Sequence, residues 1–129
     1  MSPFLKKLTL LKFIGLFSVI RFYNIVLLAI AQVLCSVYFF SSDNDIDSVI
    51  FDNNIWFIII STATSISAGY IINNFYDLDK DLINRPLKTI IEEKVSTKTK
   101  MIVYIFLNFV CLIFAMFVSS RAFFFFLFY

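Results

Sequence analysis

The chain has 129 residues, 60% of them hydrophobic against a usual share of about 45–50%, and phenylalanine alone fills 18 positions. A soluble domain of this length leaves too much surface in water to hide that much apolar side chain, so a bilayer is the expected solvent. A formal net charge of +2 gives no basic field for nucleic acid, and two cysteines without CxxC spacing, with no histidine, argue against the usual zinc and haem sites.

In chain order, residues 2–20 come first. Lys6, Lys7 and Lys12 alternate there with Phe4, Leu5, Leu8, Leu10 and Leu11, a pattern that predicts a short interfacial helix. A secretory signal peptide is the rival reading, with Ala29-Ile30-Ala31 as its cleavage site. Arg21 interrupts the stretch and the apolar run continues past that site, which favours the interfacial helix.

A bilayer core takes about 20 helical residues to cross, and three runs are long enough. They cover about residues 22–40, 55–76 and 101–118. Cys35 and Cys111 lie inside such runs and read as small apolar fillers, and Gln32 as an interhelical hydrogen bond. The second run is rich in small residues (Ser61, Thr62, Thr64, Ser65, Ser67, Ala68 and Gly69), which predicts close helix packing. A fourth run opens at Ala122 and reaches Tyr129, about 12 Å of helix and under half a bilayer. The expectation is therefore an all-α membrane protein of three transmembrane helices plus the start of a fourth, cut short. Residues 123–126 are all Phe, with T-rich codons, so a slipped reading frame there is one route to such a truncation.

The connections set the orientation. Residues 41–54 carry Asp43, Asp45, Asp47 and Asp52 with no Lys or Arg, whereas residues 77–100 carry Lys80, Arg85, Lys88, Lys94, Lys98 and Lys100. Basic connections stay inside, so the N-terminus and the second connection are expected in the cytoplasm.

The chemistry concentrates where the second span leaves the membrane, in Asn73-Asn74-Phe75-Tyr76-Asp77-Leu78-Asp79-Lys80-Asp81-Leu82-Ile83-Asn84-Arg85-Pro86. If the helix continues at about 100° per residue, Asn73, Asp77 and Asp81 fall near 0°, 40° and 80° and Asn74 near 100°. All four then share one face, with Tyr70 one turn earlier and Asp79 opposite. Hard oxygen ligands on one stripe suit Mg²⁺, which is often held by one or two carboxylates together with substrate phosphates. Arg85 offers a fork for phosphate oxygens and Lys94 a point charge. The plainer alternative is a solvated acidic and basic flank of a membrane helix.

Asn73-Asn74-x-x-Asp77-x-x-x-Asp81 followed by Asn84-Arg85-Pro86 resembles the first aspartate-rich motif of the UbiA superfamily of intramembrane prenyltransferases. Gly69-Tyr70-Ile71-Ile72, Lys94-Val95-Ser96 and Arg21-Phe22-Tyr23-Asn24 are similar to the family's pattern around it. The resemblance spans essentially the whole of 1–129 and implies the N-terminal part of a UbiA-type helical bundle in a bacterial inner membrane. It implies Mg²⁺-dependent transfer of a prenyl group from a polyprenyl diphosphate to an aromatic or glycerol-lipid acceptor. By position, Asp77, Asp81 and Asn73 would be the metal-side ligands and Asp77 and Asp81 the catalytic pair. Asn73, Asn74, Arg85 and Lys94 would bind diphosphate, and Asn24 and Arg21 would line the same cavity. Tyr70 and Tyr76 are unassigned candidates for facing an allylic cation.

Two departures stand out. Asn74 occupies a position usually held by Asp, and after Asp81 the only acids are Glu92 and Glu93, so a second aspartate-rich motif is missing. The expectation is an enzyme front inactive by itself, with a missing C-terminal half as its partner. A non-enzymatic small membrane protein or interaction module, or one half of a split enzyme, is the alternative. An ion-conducting element rests on the intramembrane amides alone.

Overall fold

The computed structural model of the chain describes residues 3–41 and 46–128, and their side chains apart from those of 3–8, 78 and 79. Asp43, Asp45 and Tyr129, together with the side chains of Phe4, Leu5, Lys6, Lys7, Leu8 and Asp79, lie outside the described residues.

Among the described residues seven helices follow in order: α1 (Pro3–Val19), α2 (Phe22–Phe40), α3 (Ile46–Ile50), α4 (Asn53–Asn84), α5 (Pro86–Glu92), α6 (Thr97–Val118) and α7 (Ser120–Phe128). No strand occurs among the described residues. Helix α2, the Asn53–Asp77 portion of α4 and α6 are each long and apolar enough to cross a bilayer, α6 most strongly with a mean hydropathy of 2.7. The chain is thus a multi-pass integral membrane protein, with the shorter α1 ahead of the first span.

Local chemistry explains where the helices begin. The Asp52 carboxylate accepts the Asn54 N–H at 2.8 Å and caps α4. The Ser96 hydroxyl accepts the Thr99 N–H at 3.2 Å, so α6 starts a turn earlier than its apolar run and takes Lys98 and Lys100 into helix. Pro86, at the first position of α5, has the fixed φ and missing N–H that suit a helix start. Helices α3 and α5 were not anticipated from the sequence.

The core lies between α4 and α6, the most extensively packed pair. Ser61 and Ala115 are completely buried there, with Cys111 at 3% exposure. The Ser61 hydroxyl lies 2.8 Å from the Phe57 carbonyl and 3.2 Å from the Cys111 carbonyl, so its proton is satisfied where the helices touch. Small side chains allow that approach, and dispersion and hydrogen bonding supply the attraction that lipid does not. Ser67 and Ala68 are buried as well, but Gly69 is not part of this contact: a methyl group at its Cα would meet no atom within 4 Å. Helix α2 lies on α4 through Gln32 Nε2, which donates to Thr62 Oγ1 at 3.1 Å, an interhelical bond of the kind expected for Gln32. Cys35 is exposed on the apolar surface and Cys111 is buried.

Helix α1 folds back onto α5. Gly15 permits this, since a Cβ there would stand 2.7 Å from the Ile91 carbonyl oxygen. The C-terminal part of α4 and the α1–α5 contact together decide which polar residues meet at the membrane edge.

Candidate functional site

Helix α4 does not stop at the end of its apolar stretch; it runs on through Asn84 and carries the whole acidic segment as helix. Its packed side is marked by Ser67, Ala68, Ile71 and Asn74. These positions recur at the three- and four-residue spacing of one helix face. Asn73 is exposed, whereas Asp77 and Asp81 are half-buried. The arc expected to hold four polar groups therefore crosses from the open side to the packed side, and Asn74 falls on the packed side.

Asn74 is 7% exposed and uses both ends of its amide. Its Nδ2 donates to Glu92 Oε2 at 2.9 Å, and its Oδ1 accepts from Lys100 Nζ at 2.7 Å. Glu92, at 1% exposure, also accepts from Ser18 Oγ at 2.7 Å, and Lys88 Nζ lies 3.3 Å from the same oxygen. Lys100 is 4% exposed. Buried charges persist only with partners: Glu92 is ion-paired with Lys88 and accepts two hydrogen bonds, and Lys100 is hydrogen-bonded to the Asn74 amide. Sequence reasoning names Glu92 only as an acid after Asp81 and Lys100 only among the orienting cations, and misses this cluster. The i,i+4 spacing of Lys88 and Glu92 and the inward register of Asn74 after Ile71 were the signals that could have found it.

A second cluster forms an open groove of about 630 Å³ where α1, α2 and α5 meet. Ser18, Arg21, Asn24, Arg85 and Lys88 are its polar lining, with Phe17, Phe22 and Tyr23 among the apolar residues. Arg21, Asn24 and Arg85, three of the expected diphosphate ligands, thus come together, and Lys88 joins them unforeseen. Lys94 is exposed in the turn after α5 and does not line this groove.

Arg21 is held in an unusual conformation. It caps α2 with φ 51° and ψ 52°, a left-handed backbone that side chains other than glycine rarely adopt. Its guanidinium carbon stands 5.1 Å from the centroid of the Tyr70 ring, a cation–π contact. Asn24 Nδ2 donates to the Tyr70 hydroxyl at 3.4 Å. Tyr70 therefore links the groove to α4, one turn before Asn73. Its ring is occupied by Arg21, and Tyr76, the other aromatic candidate, is 82% exposed.

The donor set on α4 can be tested against a divalent cation. Among the described residues neither Asp77 nor Asp81 is engaged in an ion pair, and no three acidic, His or Cys side chains gather where they could enclose a metal. Two carboxylates and the Asn73 amide on one helical stripe do not make a cage. They do fit Mg²⁺ completed by phosphate oxygens and water.

A model of the UbiA prenyltransferase family matches residues 29–129. Neither curated proteins nor solved structures yielded a match. The matched stretch takes in α4 with its acidic stripe, Arg85, Lys88, Glu92 and Lys100, while Ser18, Arg21 and Asn24 precede it, and by that match the chain belongs to the UbiA prenyltransferase family.

Proposed function

We propose that the chain binds a polyprenyl diphosphate in the groove between α1, α2 and α5 and takes part in Mg²⁺-dependent prenyl transfer to an aromatic or glycerol-lipid acceptor. The single observation that carries this reading is the convergence of Arg21, Asn24, Arg85 and Lys88 on one groove at the membrane edge, in a chain of this family. Three cationic groups and an amide suit an anion of high charge, and the guanidinium forks suit phosphate oxygens. The apolar surface of the spans leaves the prenyl chain in hydrocarbon while its charged head stays at the edge.

Asp77, Asp81 and Asn73 are the residues that would hold Mg²⁺, with the diphosphate completing its ligands. A Mg²⁺ held by these residues would supply positive charge to offset that of the leaving diphosphate. In the transfer, the carbon–oxygen bond between the allylic carbon and the diphosphate breaks, and its electron pair leaves with the diphosphate. The acceptor's nucleophilic atom forms the new bond to that carbon, and its proton passes to the released diphosphate or to water. Arg21, Arg85 and Lys88 stabilise the leaving group by fixed positive charge, which counts most where charge develops. The 129 residues hold one acidic stripe, so the reading gives turnover to this chain only together with a second carboxylate set, and none to these residues alone.

The basic connection between α4 and α6 and the N-terminus face the cytoplasm in this reading, by the distribution of Lys and Arg, with a bacterial inner membrane as the setting. The test is binding of a non-hydrolysable prenyl thiodiphosphate to the chain in lipid nanodiscs. Arg85→Gln should weaken it by about tenfold, the size expected for one lost charge-assisted contact. Undiminished binding in that variant would count against the groove. An interaction module without ligand affinity is the outcome if the unsubstituted chain binds nothing.

A further inference from the structure

The groove is only as well defined as α5, and α5 is a seven-residue helix between two breaks. A helix that short has no stability of its own. What holds it must come from its neighbours, and the most buried polar contact it makes is through Glu92.

Glu92 does not line the groove. It stands behind the wall, and one of its oxygens meets two residues that do: Ser18 of α1 at 2.7 Å and Lys88 of α5 at 3.3 Å. Its other oxygen is tied to α4 through Asn74, which in turn accepts from Lys100 of α6. A single carboxylate thereby joins three helices directly and a fourth through one amide. Among the described residues the Lys88–Glu92 contact is the one ion pair.

We propose that Glu92 is a positioning residue: it fixes the register of α5 so that Lys88 and Arg85 face Arg21 and Asn24 across the groove, and so sets diphosphate affinity without touching the ligand. The proposal rests on the diphosphate reading of the groove. A competing electrostatic effect makes it testable, because removing a negative charge from behind an anion site would by itself tighten binding.

The probe is inorganic pyrophosphate, titrated in EDTA against the full chain in nanodiscs so that only the groove is read, with thermal unfolding measured alongside. Glu92→Gln should weaken pyrophosphate by about tenfold, the effect of losing one charge-assisted contact. The double variant Asn74→Asp with Glu92→Gln moves the carboxylate across the 2.9 Å hydrogen bond and sets it beside Lys100. It should recover most of the thermal stability while pyrophosphate binding stays weak, because Lys88 still has no anchor. Equal or tighter binding by Glu92→Gln overturns the proposal. So does recovery of binding together with stability in the double variant, or loss of fold in both variants, since each marks a purely structural role. Arg85→Gln separates the two levels. If it leaves pyrophosphate affinity unchanged, the groove reading itself fails; if it weakens binding and Glu92→Gln does not, only the positioning role falls.

Discussion

Adjacent asparagines with opposite surroundings give the sharpest stability prediction. Asn73 is exposed, while Asn74 is 7% exposed and carries two hydrogen bonds to buried charged groups. Asn74→Leu keeps the number of side-chain heavy atoms and the branch at Cγ and removes both bonds. The Glu92 carboxylate then loses a donor, and the Lys100 ammonium, 4% exposed, loses the acceptor 2.7 Å away. Each charge-assisted hydrogen bond contributes about 1.5–3 kcal/mol, and leaving a buried charge short of partners costs about 3–5 kcal/mol. The two estimates cover the same loss and overlap, so the expected destabilisation is about 3–5 kcal/mol. Asn73→Leu, one residue earlier, should stay within about 0.5 kcal/mol, as an exposed substitution does. Reversible unfolding in mixed detergent and SDS, followed by circular dichroism, measures both. Equal stability of the two variants would refute the reasoning, because it would mean that the buried cluster contributes nothing beyond packing.

Other outcomes follow from the same contacts. Gly15→Ala places a Cβ 2.7 Å from the Ile91 carbonyl and should destabilise the chain by about 1–3 kcal/mol in the same assay, as overpacking does. Arg21→Gly releases a left-handed backbone and should leave stability unchanged or raise it by about 1 kcal/mol. The same substitution should weaken prenyl thiodiphosphate binding by about tenfold, which isothermal titration would read as a separation of stability from function. Ser61→Leu, at the completely buried contact of α4 with α6, should cost about 1–3 kcal/mol, and Thr64→Leu on the half-buried side should cost less in parallel unfolding runs.

The spans were legible because lipid imposes one rule on the sequence: an apolar run long enough to cross must be helix. Runs expected at about residues 22–40, 55–76 and 101–118 correspond to α2, most of α4 and most of α6. The helical continuation through Asp77 and Asp81, a condition in the reading of the acidic stripe, is what α4 supplies by running on to Asn84. Helices α3 and α5 were not, because short helices in polar connections depend on tertiary contact and carry no strong period. The same reason hid the Glu92 cluster. Positive-inside reasoning counts Lys88 and Lys100 as charges and is blind to which of them folds inward. Spacing alone groups Asn74 with Asn73, Asp77 and Asp81 and does not show which of the four faces inward. The register of Ser67, Ile71 and Asn74 places Asn74 on the packed face of α4.

The central claim is that one acidic stripe and one cationic groove act on the same diphosphate, and its most direct test is the Mg²⁺ dependence of binding. Prenyl thiodiphosphate would be titrated with and without Mg²⁺ against the unsubstituted chain and the Asp77→Asn, Asp81→Asn double variant. Mg²⁺ should tighten binding to the former and have no effect on the latter, which keeps the metal-independent affinity supplied by Arg21, Arg85 and Lys88. An equal Mg²⁺ enhancement in both chains would contradict it.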